Sequence, residues 1–194
     1  MGNSTEEREA LSSAMDRYAD GDEAAFAVVY DLLAPRLYGF FVRQCGDAAR
    51  AEDLVQQTLL QMCAARETFA RGSDVLPWAF CIGRRLLVDG RRRTKKEVLF
   101  ATAEEDAAAL ETRVERFAIP DDVAMTKELA ARAEDELERM PESQREAYML
   151  VRQEGLSVAQ AAEVLGTTAT AIKLRAHRAY EALRTALADA GGEQ

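Results

Sequence analysis

The chain has 194 residues, 48% hydrophobic and 30% charged, with 34 acidic against 25 basic side chains and a formal net charge of −9. That is enough apolar material for one or two packed domains and too much for a disordered chain. One histidine and three widely spaced cysteines without a C-x-x-C pair speak against a zinc site. No glycine-rich phosphate loop and no nucleophile with a placed base suggests an enzyme, so neither a metal nor a cofactor is expected.

The charge is unevenly distributed. Residues 1–60 carry eleven acids against five arginines, and residues 104–122 seven acids against two arginines. Between and beyond them lie two basic stretches. Residues 84–96 hold seven basic groups against Asp89 alone, and residues 173–184 hold four against Glu181. An acidic chain with two local cationic patches fits a protein that meets nucleic acid at chosen places.

From the N-terminus, MGNSTEEREA lacks the apolar core of a secretory signal, and Glu6 stands where a myristoylation motif has Ser or Thr. Residues 1–21 read as a tail. The longest apolar run, about Ala24–Tyr30, is far short of a membrane span, so a cytoplasmic chain without membrane insertion is expected. Asp22–Leu33 reads as a helix and Pro35–Cys45 as a second one, with the proline in its first turn. A third helix follows from Ala51, where Leu54, Val55, Thr58, Leu59, Met62 and Ala65 recur at helical spacing. Its outer face then shows Asp53, Gln56, Gln57 and Leu60. Leucine among polar groups there hints at a protein interface.

RGSDVLP, Arg71–Pro77, reads as a loop. A fourth helix runs from Pro77 towards Arg93, with Trp78, Ile82 and Leu86 on one side and Arg84, Arg91 and Lys95 roughly opposite. A basic helix after an aromatic-containing loop suits single-stranded or melted nucleic acid. Residues 94–122 show no clean amphipathic stripe and read as an acidic linker. Beyond them come helices at about Met125–Met140 and Glu142–Gln153, then a break at Gly155. No strand alternation appears, so the fold class expected is all-α.

In LSVAQAAEVLGTTATAIKLRAHRA, Ser157 can cap a helix with an apolar face of Val158, Ala161, Ala162 and Leu165, and Gly166 allows a sharp turn. The next helix buries Ile172, Ala176, Ala179 and Leu183. Small alanines permit a close crossing, which is the signature of a helix-turn-helix. Thr170, Lys173, Leu174 and His177 then face outward with Arg178 at the margin, placed to meet the DNA major groove. His177 has no nearby partner or cleft suited to a catalytic base, so a DNA- or solvent-facing role is expected. Cys45, Cys63 and Cys81 read as small buried hydrophobes.

The stretches AEDLVQQTLLQ, WAFCIGRRLLVDGRRR, MPESQREAYMLVRQEGLSVAQAAEVLG and AIKLRAHRAYEALR, in this order, resemble the extracytoplasmic-function (ECF) sigma factors of bacterial RNA polymerase. The likeness covers about Asp22–Arg93 and Leu129–Leu187. It implies two small helical domains on a flexible linker: a sigma2-like domain over residues 22–93, the linker over 94–122, and a sigma4-like helix-turn-helix domain over 123–194. It implies that the chain binds core RNA polymerase and directs promoter recognition and melting. The clamp helices would be met by Asp53, Gln56, Gln57 and Leu60. The −10 element would be met by Phe69, Arg71, Ser73, Asp74, Trp78, Arg84, Arg85, Arg91 and Arg92. The −35 element would be read by Thr170, Lys173, Leu174, His177 and Arg178, with another surface of that domain on the polymerase β flap. An anti-sigma factor is a further candidate partner. The chain departs from the family's pattern at Arg85, where Asn is frequent, near Cys63, where an aromatic residue is, and at Leu174, where a small polar residue is. The competing reading is a polymerase-independent helix-turn-helix regulator, which predicts tight duplex binding by the isolated chain.

Overall fold

The computed structural model describes residues 3–101 and 124–188, and the side chains of residues 5–93 and 129–188. Most of the acidic linker therefore lies outside the described residues. Eight α-helices and no strand occur among those described, and the chain divides into two units, each an all-α bundle.

The first unit holds α1 (Asn3–Ala19), α2 (Ala25–Cys45), α3 (Ala48–Ala64), a single 3₁₀ turn (Arg66–Thr68) and α4 (Val75–Ala101). The segment read as a tail is thus a packed helix. Leu11, Ala14, Met15 and Tyr18 of α1 are buried at spacings of three, one and three. That is a helical stripe, hidden in the sequence by the acids around it. The segment 22–45 is also one helix from Ala25 rather than two, with Pro35 inside it. Proline costs about 3 kcal/mol in a helix interior, whereas burying a leucine or phenylalanine contributes about 1.5–3 kcal/mol. Val29, Leu33, Leu37, Phe40 and Phe41 form one buried stripe through the proline and outweigh it. Pro35 and Asp31 both lie on the solvent side, where water can satisfy the freed Asp31 carbonyl. By length and apolarity α2 could cross a membrane, but this stripe packs on α1, α3 and α4 and makes it the central helix of the unit.

Local chemistry sets the remaining boundaries. Gly46, at φ +66°, ends α2 in the left-handed region and donates its N–H to the Val42 carbonyl. The Asp47 carboxylate then caps α3 by accepting from Arg50 N–H at 3.1 Å. Ala51, Leu54, Val55, Thr58, Leu59 and Met62 are its buried face. On α4 the buried stripe is Val75, Leu76, Ala79, Phe80 and Leu87, with Trp78, Ile82 and Leu86 only half-buried; the expected face was rotated by part of a turn. Phe80 meets Phe40 edge-on with centroids 5.3 Å apart. Gly83 of α4 lies against Phe41 and Thr58, so α2, α3 and α4 converge there. The helix also continues past Arg93 to Ala101, into the segment expected to be linker.

The three cysteines form no disulfide and are half-buried, less enclosed than expected. The Cys45 thiol donates to the Phe41 carbonyl at 2.9 Å, and burial pushes its pKa up. The thiolate is the reactive form. Cys45 in the native protein should therefore be alkylated by iodoacetamide at pH 8.5 several-fold more slowly than in the denatured chain. Mass spectrometry of the labelled peptides checks this, and equal rates in the two states would rule out the shift.

The second unit holds α5 (Ala124–Arg139), α6 (Glu142–Tyr148), a π-helical turn (Met149–Gln153), α7 (Val158–Leu165) and α8 (Ala169–Ala188). Leu137 and Met140 pack on Ala179 and Leu183. Arg145 donates to the Leu137 and Glu138 carbonyls at 3.2 Å each, which ties the end of α5 to α6. The helix expected through Gln153 widens after Tyr148, and Glu154 N–H reaches back to the Met149 carbonyl. Left-handed Gly155 then lets Leu156 N–H bond the Leu150 carbonyl and turns the chain. The turn keeps Met149, Leu150 and Leu156 all buried.

Candidate nucleic-acid interface

The helix-turn-helix forms from the residues expected to make it. Ser157 and Gln160 complete a reciprocal capping box: Gln160 N–H donates to Ser157 Oγ at 3.2 Å, and Ser157 N–H to Gln160 Oε1 at 2.9 Å. Gly166, at φ +58°, ends α7, and Thr167 N–H bonds the Ala162 carbonyl. Thr168 Oγ1 accepts from Ala171 N–H and opens α8. Ile172, Ala176, Ala179 and Leu183 are buried, while Thr170, Lys173, Leu174, His177 and Arg178 are exposed. These five share one side of α8, with Leu174 and His177 at its middle. Leu174 is 49% exposed, an apolar group among polar ones. Arg152 covers the ring of exposed Tyr180 at 5.5 Å, a cation–π contact that links the π turn to α8 beyond the outward face.

In the first unit, the residues expected to meet the −10 element separate into two sets. Some are engaged in the fold. The Phe69 ring is buried, tilted against Trp78 with centroids 5.1 Å apart. Arg71 pairs with Asp20 at 3.0 Å and donates to the Phe69 and Ala19 carbonyls. Asp74 caps α4 by accepting from Leu76 N–H and pairs with Arg8. Arg91 donates to the Gln44 carbonyl. Of these four only Phe69 is buried; Arg71 is exposed and Asp74 and Arg91 are half-buried. The other five also face outward in whole or part. Arg85 and Arg92 are exposed, the Arg85 side chain to 82% with Asp89 at 3.9 Å, and Ser73, Trp78 and Arg84 are half-buried. Phe69, which the resemblance places against the −10 element, is buried under Trp78.

The loop over residues 66–74 is held mainly by α1, whose part went unseen in the sequence. The Asp16 carboxylate accepts from Gly72 N–H at 3.0 and 3.2 Å. The Arg66 guanidinium sits 5.2 Å from the Tyr18 ring centroid and pairs with Glu23. The missed signal was the Leu11–Ala14–Met15–Tyr18 spacing, which makes α1 a helix and so brings Asp16 and Asp20 to one side. The third surface is the outer face of α3, where Asp53, Gln56, Gln57 and Leu60 are all exposed, Leu60 to 68%.

Residues 29–97 match the model of Sigma-70 region 2, and residues 130–183 that of Sigma-70 region 4. The chain is 32% identical to the RNA polymerase sigma factor CarQ of Myxococcus xanthus over 90% of this chain and 96% of CarQ. It is 35% identical to the ECF RNA polymerase sigma factor EcfG of Rhodopseudomonas palustris over 84% and 86% of the two chains. Among solved structures, the sigma factor RpoE of Bartonella quintana, in complex with the anti-sigma factor NepR, superposes with a TM-score of 0.68 at 25% identity. The match covers 87% of this chain and 98% of RpoE.

Proposed function

Because the chain belongs to the ECF sigma factors, alternative sigma factors that bind core RNA polymerase and direct it to promoters, we propose how its surfaces divide that work. The outward side of α8 reads the −35 element. Lys173 and Arg178 attract phosphates or guanine edges, His177 offers ring nitrogens to the groove, and Leu174 and Thr170 present methyl groups. The half-buried and exposed groups of the first unit, Ser73, Trp78, Arg84, Arg85 and Arg92, take the opened −10 strand. Phe69 shapes that surface from within, and the contacts of Arg71, Asp74 and Arg91 brace it from its edge. The outer face of α3, with Asp53, Gln56, Gln57 and Leu60, docks on the clamp helices, and a separate face of the second unit docks on the β flap. Acidity elsewhere suppresses stray DNA binding, and the polymerase supplies the approach to the promoter. The same reading places the protein in the cytoplasm and assigns no residue a catalytic role. The solved relative's complex with NepR supports an anti-sigma factor as the negative regulator of this chain as well.

The observation that carries this reading is one chain with a cation-bearing helix-turn-helix face, a basic helix beside an aromatic loop, and a polar face with a 68% exposed leucine. Gel filtration with core polymerase tests it. The wild-type chain should co-elute with core and bind duplex DNA weakly alone. Gln56→Ala with Leu60→Ala should weaken core binding about tenfold or more while leaving the circular dichroism spectrum and Tm unchanged, since neither side chain is buried. Unchanged core affinity in that variant removes α3 from the interface. Tight duplex binding with no core binding by the wild type would instead favour a free-standing regulator.

A further inference from the structure

We propose that α1 is the positioning element for the loop that receives the opened −10 strand, with Arg8, Asp16 and Asp20 as its positioning residues. This rests on the proposed −10 role of the first unit. The loop over residues 65–74 has little regular structure of its own: one 3₁₀ turn, then Gly72 at φ +73°. Each unrestrained residue costs about 1–2 kcal/mol of backbone entropy to fix, and a loop that is ordered only on meeting DNA loses that from its affinity.

Here the ordering is done beforehand, from one side of α1. Asp16 accepts from Gly72 N–H, a backbone donor in the loop's left-handed turn. One turn further on, Asp20 pairs with Arg71, and the Ala19 carbonyl accepts from the same guanidinium. Arg71 Nη1 in turn holds the Phe69 carbonyl at 3.0 Å. Two turns before Asp16, Arg8 pairs with Asp74, whose other carboxylate oxygen caps α4 at Leu76 N–H. The start of the basic helix is thereby fixed along with the loop. Beneath, Phe69 fills the space against Trp78. The contacts made by α1 span 51 to 66 residues of sequence, and none involves the outward cations Arg85 and Arg92. They also tie the exposed Arg71 guanidinium to the loop's shape.

The test uses holoenzyme made with the full chain, wild type or Asp16→Ala/Asp20→Ala. Three quantities are measured: affinity for a fluorescent single-stranded non-template oligonucleotide carrying the −10 element, affinity for a duplex carrying only the −35 element, and core binding. The expected result is a loss of about tenfold on the single strand, with −35 duplex and core binding unchanged. Hydrogen exchange on the free chain gives an independent reading. Gly72 N–H should be protected in the wild type and should lose protection in Asp16→Ala, even if the double variant is too unstable for holoenzyme work. Unchanged single-strand affinity in the double variant, or an unprotected Gly72 N–H in the wild type, overturns the proposal. If wild-type holoenzyme itself fails to bind the single strand, the −10 reading beneath it is what fails.

Discussion

Replacing both Lys173 and Arg178 with alanine should lower promoter-directed transcription about 10- to 100-fold and leave core polymerase binding intact. Both side chains are exposed on α8, away from its buried stripe of Ile172, Ala176, Ala179 and Leu183. Neither caps a helix nor fills a core, so the fold has little reason to change. A contact to a base edge is worth about 1–3 kcal/mol, and each phosphate contact adds about 0.9 to the slope of log affinity against log salt. Two lost contacts at the low end of that scale, about 2 kcal/mol together, give a deficit of about thirtyfold. Run-off transcription at several potassium concentrations separates the two. A deficit with the salt slope reduced by about two identifies phosphate contacts, whereas an unchanged slope with relaxed −35 sequence preference identifies base contacts. Full activity on a −35-dependent promoter would remove this face from DNA reading. A matching loss of core binding would mean that the helix meets polymerase instead.

Gly83→Ala should destabilise the first unit by about 1–3 kcal/mol, although alanine is the better helix former by about 1 kcal/mol. Gly83 is on α4 with its helix buried against α2 and α3, and a Cβ there would lie 2.5 Å from Phe41 Cζ and 3.1 Å from Thr58 Oγ1. Neither neighbour yields easily. The Phe41 ring is fully buried and edge-on to Phe40 at 5.7 Å, and Thr58 Oγ1 donates to the Leu54 carbonyl at 2.6 Å. The clash therefore outweighs the propensity gain. For a unit of this size each kcal/mol lowers Tm by about 4–8 °C, which calorimetry resolves easily. Phe41→Leu in the same chain shortens the obstructing side chain, so the double variant should be more stable than the sum of the two single effects predicts. A Tm at or above that of the wild type in Gly83→Ala would show that α4 can shift away from α2. Because α4 also carries Arg84, Arg85 and Arg92, loss of its seat should reduce DNA opening together with stability.

How far the sequence carried these readings differs between the two units. In the second, the exposed side of α8 was legible almost residue by residue. Ser157, Gly166 and the Ile172–Ala176–Ala179 spacing are local signals, so knowing the buried stripe of one helix is enough to name its outward side. The outer face of α3 was legible for the same reason. The side chains that the resemblance assigns to the −10 element were harder to place, because their surroundings depend on partners elsewhere in the chain. Trp78 covers Phe69, Asp20 holds Arg71, Arg8 holds Asp74, and the Gln44 carbonyl holds Arg91. An arginine that binds phosphate and one that staples a loop look alike in a string of letters.

By itself, the sequence determined the all-α class, the helix-turn-helix and the two cationic patches, because caps, turn glycines and 3.6-residue periodicity act within a few residues of one another; the likeness to the ECF sigma factors rested instead on the wording and order of four stretches. Tertiary structure decided that residues 3–19 are a working helix, that α2 runs through Pro35, and that the buried side of α4 is the Leu76–Phe80–Leu87 stripe. It also decided which cations remain outside. Each of those outcomes is set by what a side chain meets after the chain has closed on itself, at separations of tens of residues. Burial there outweighs local preference by a few kcal/mol.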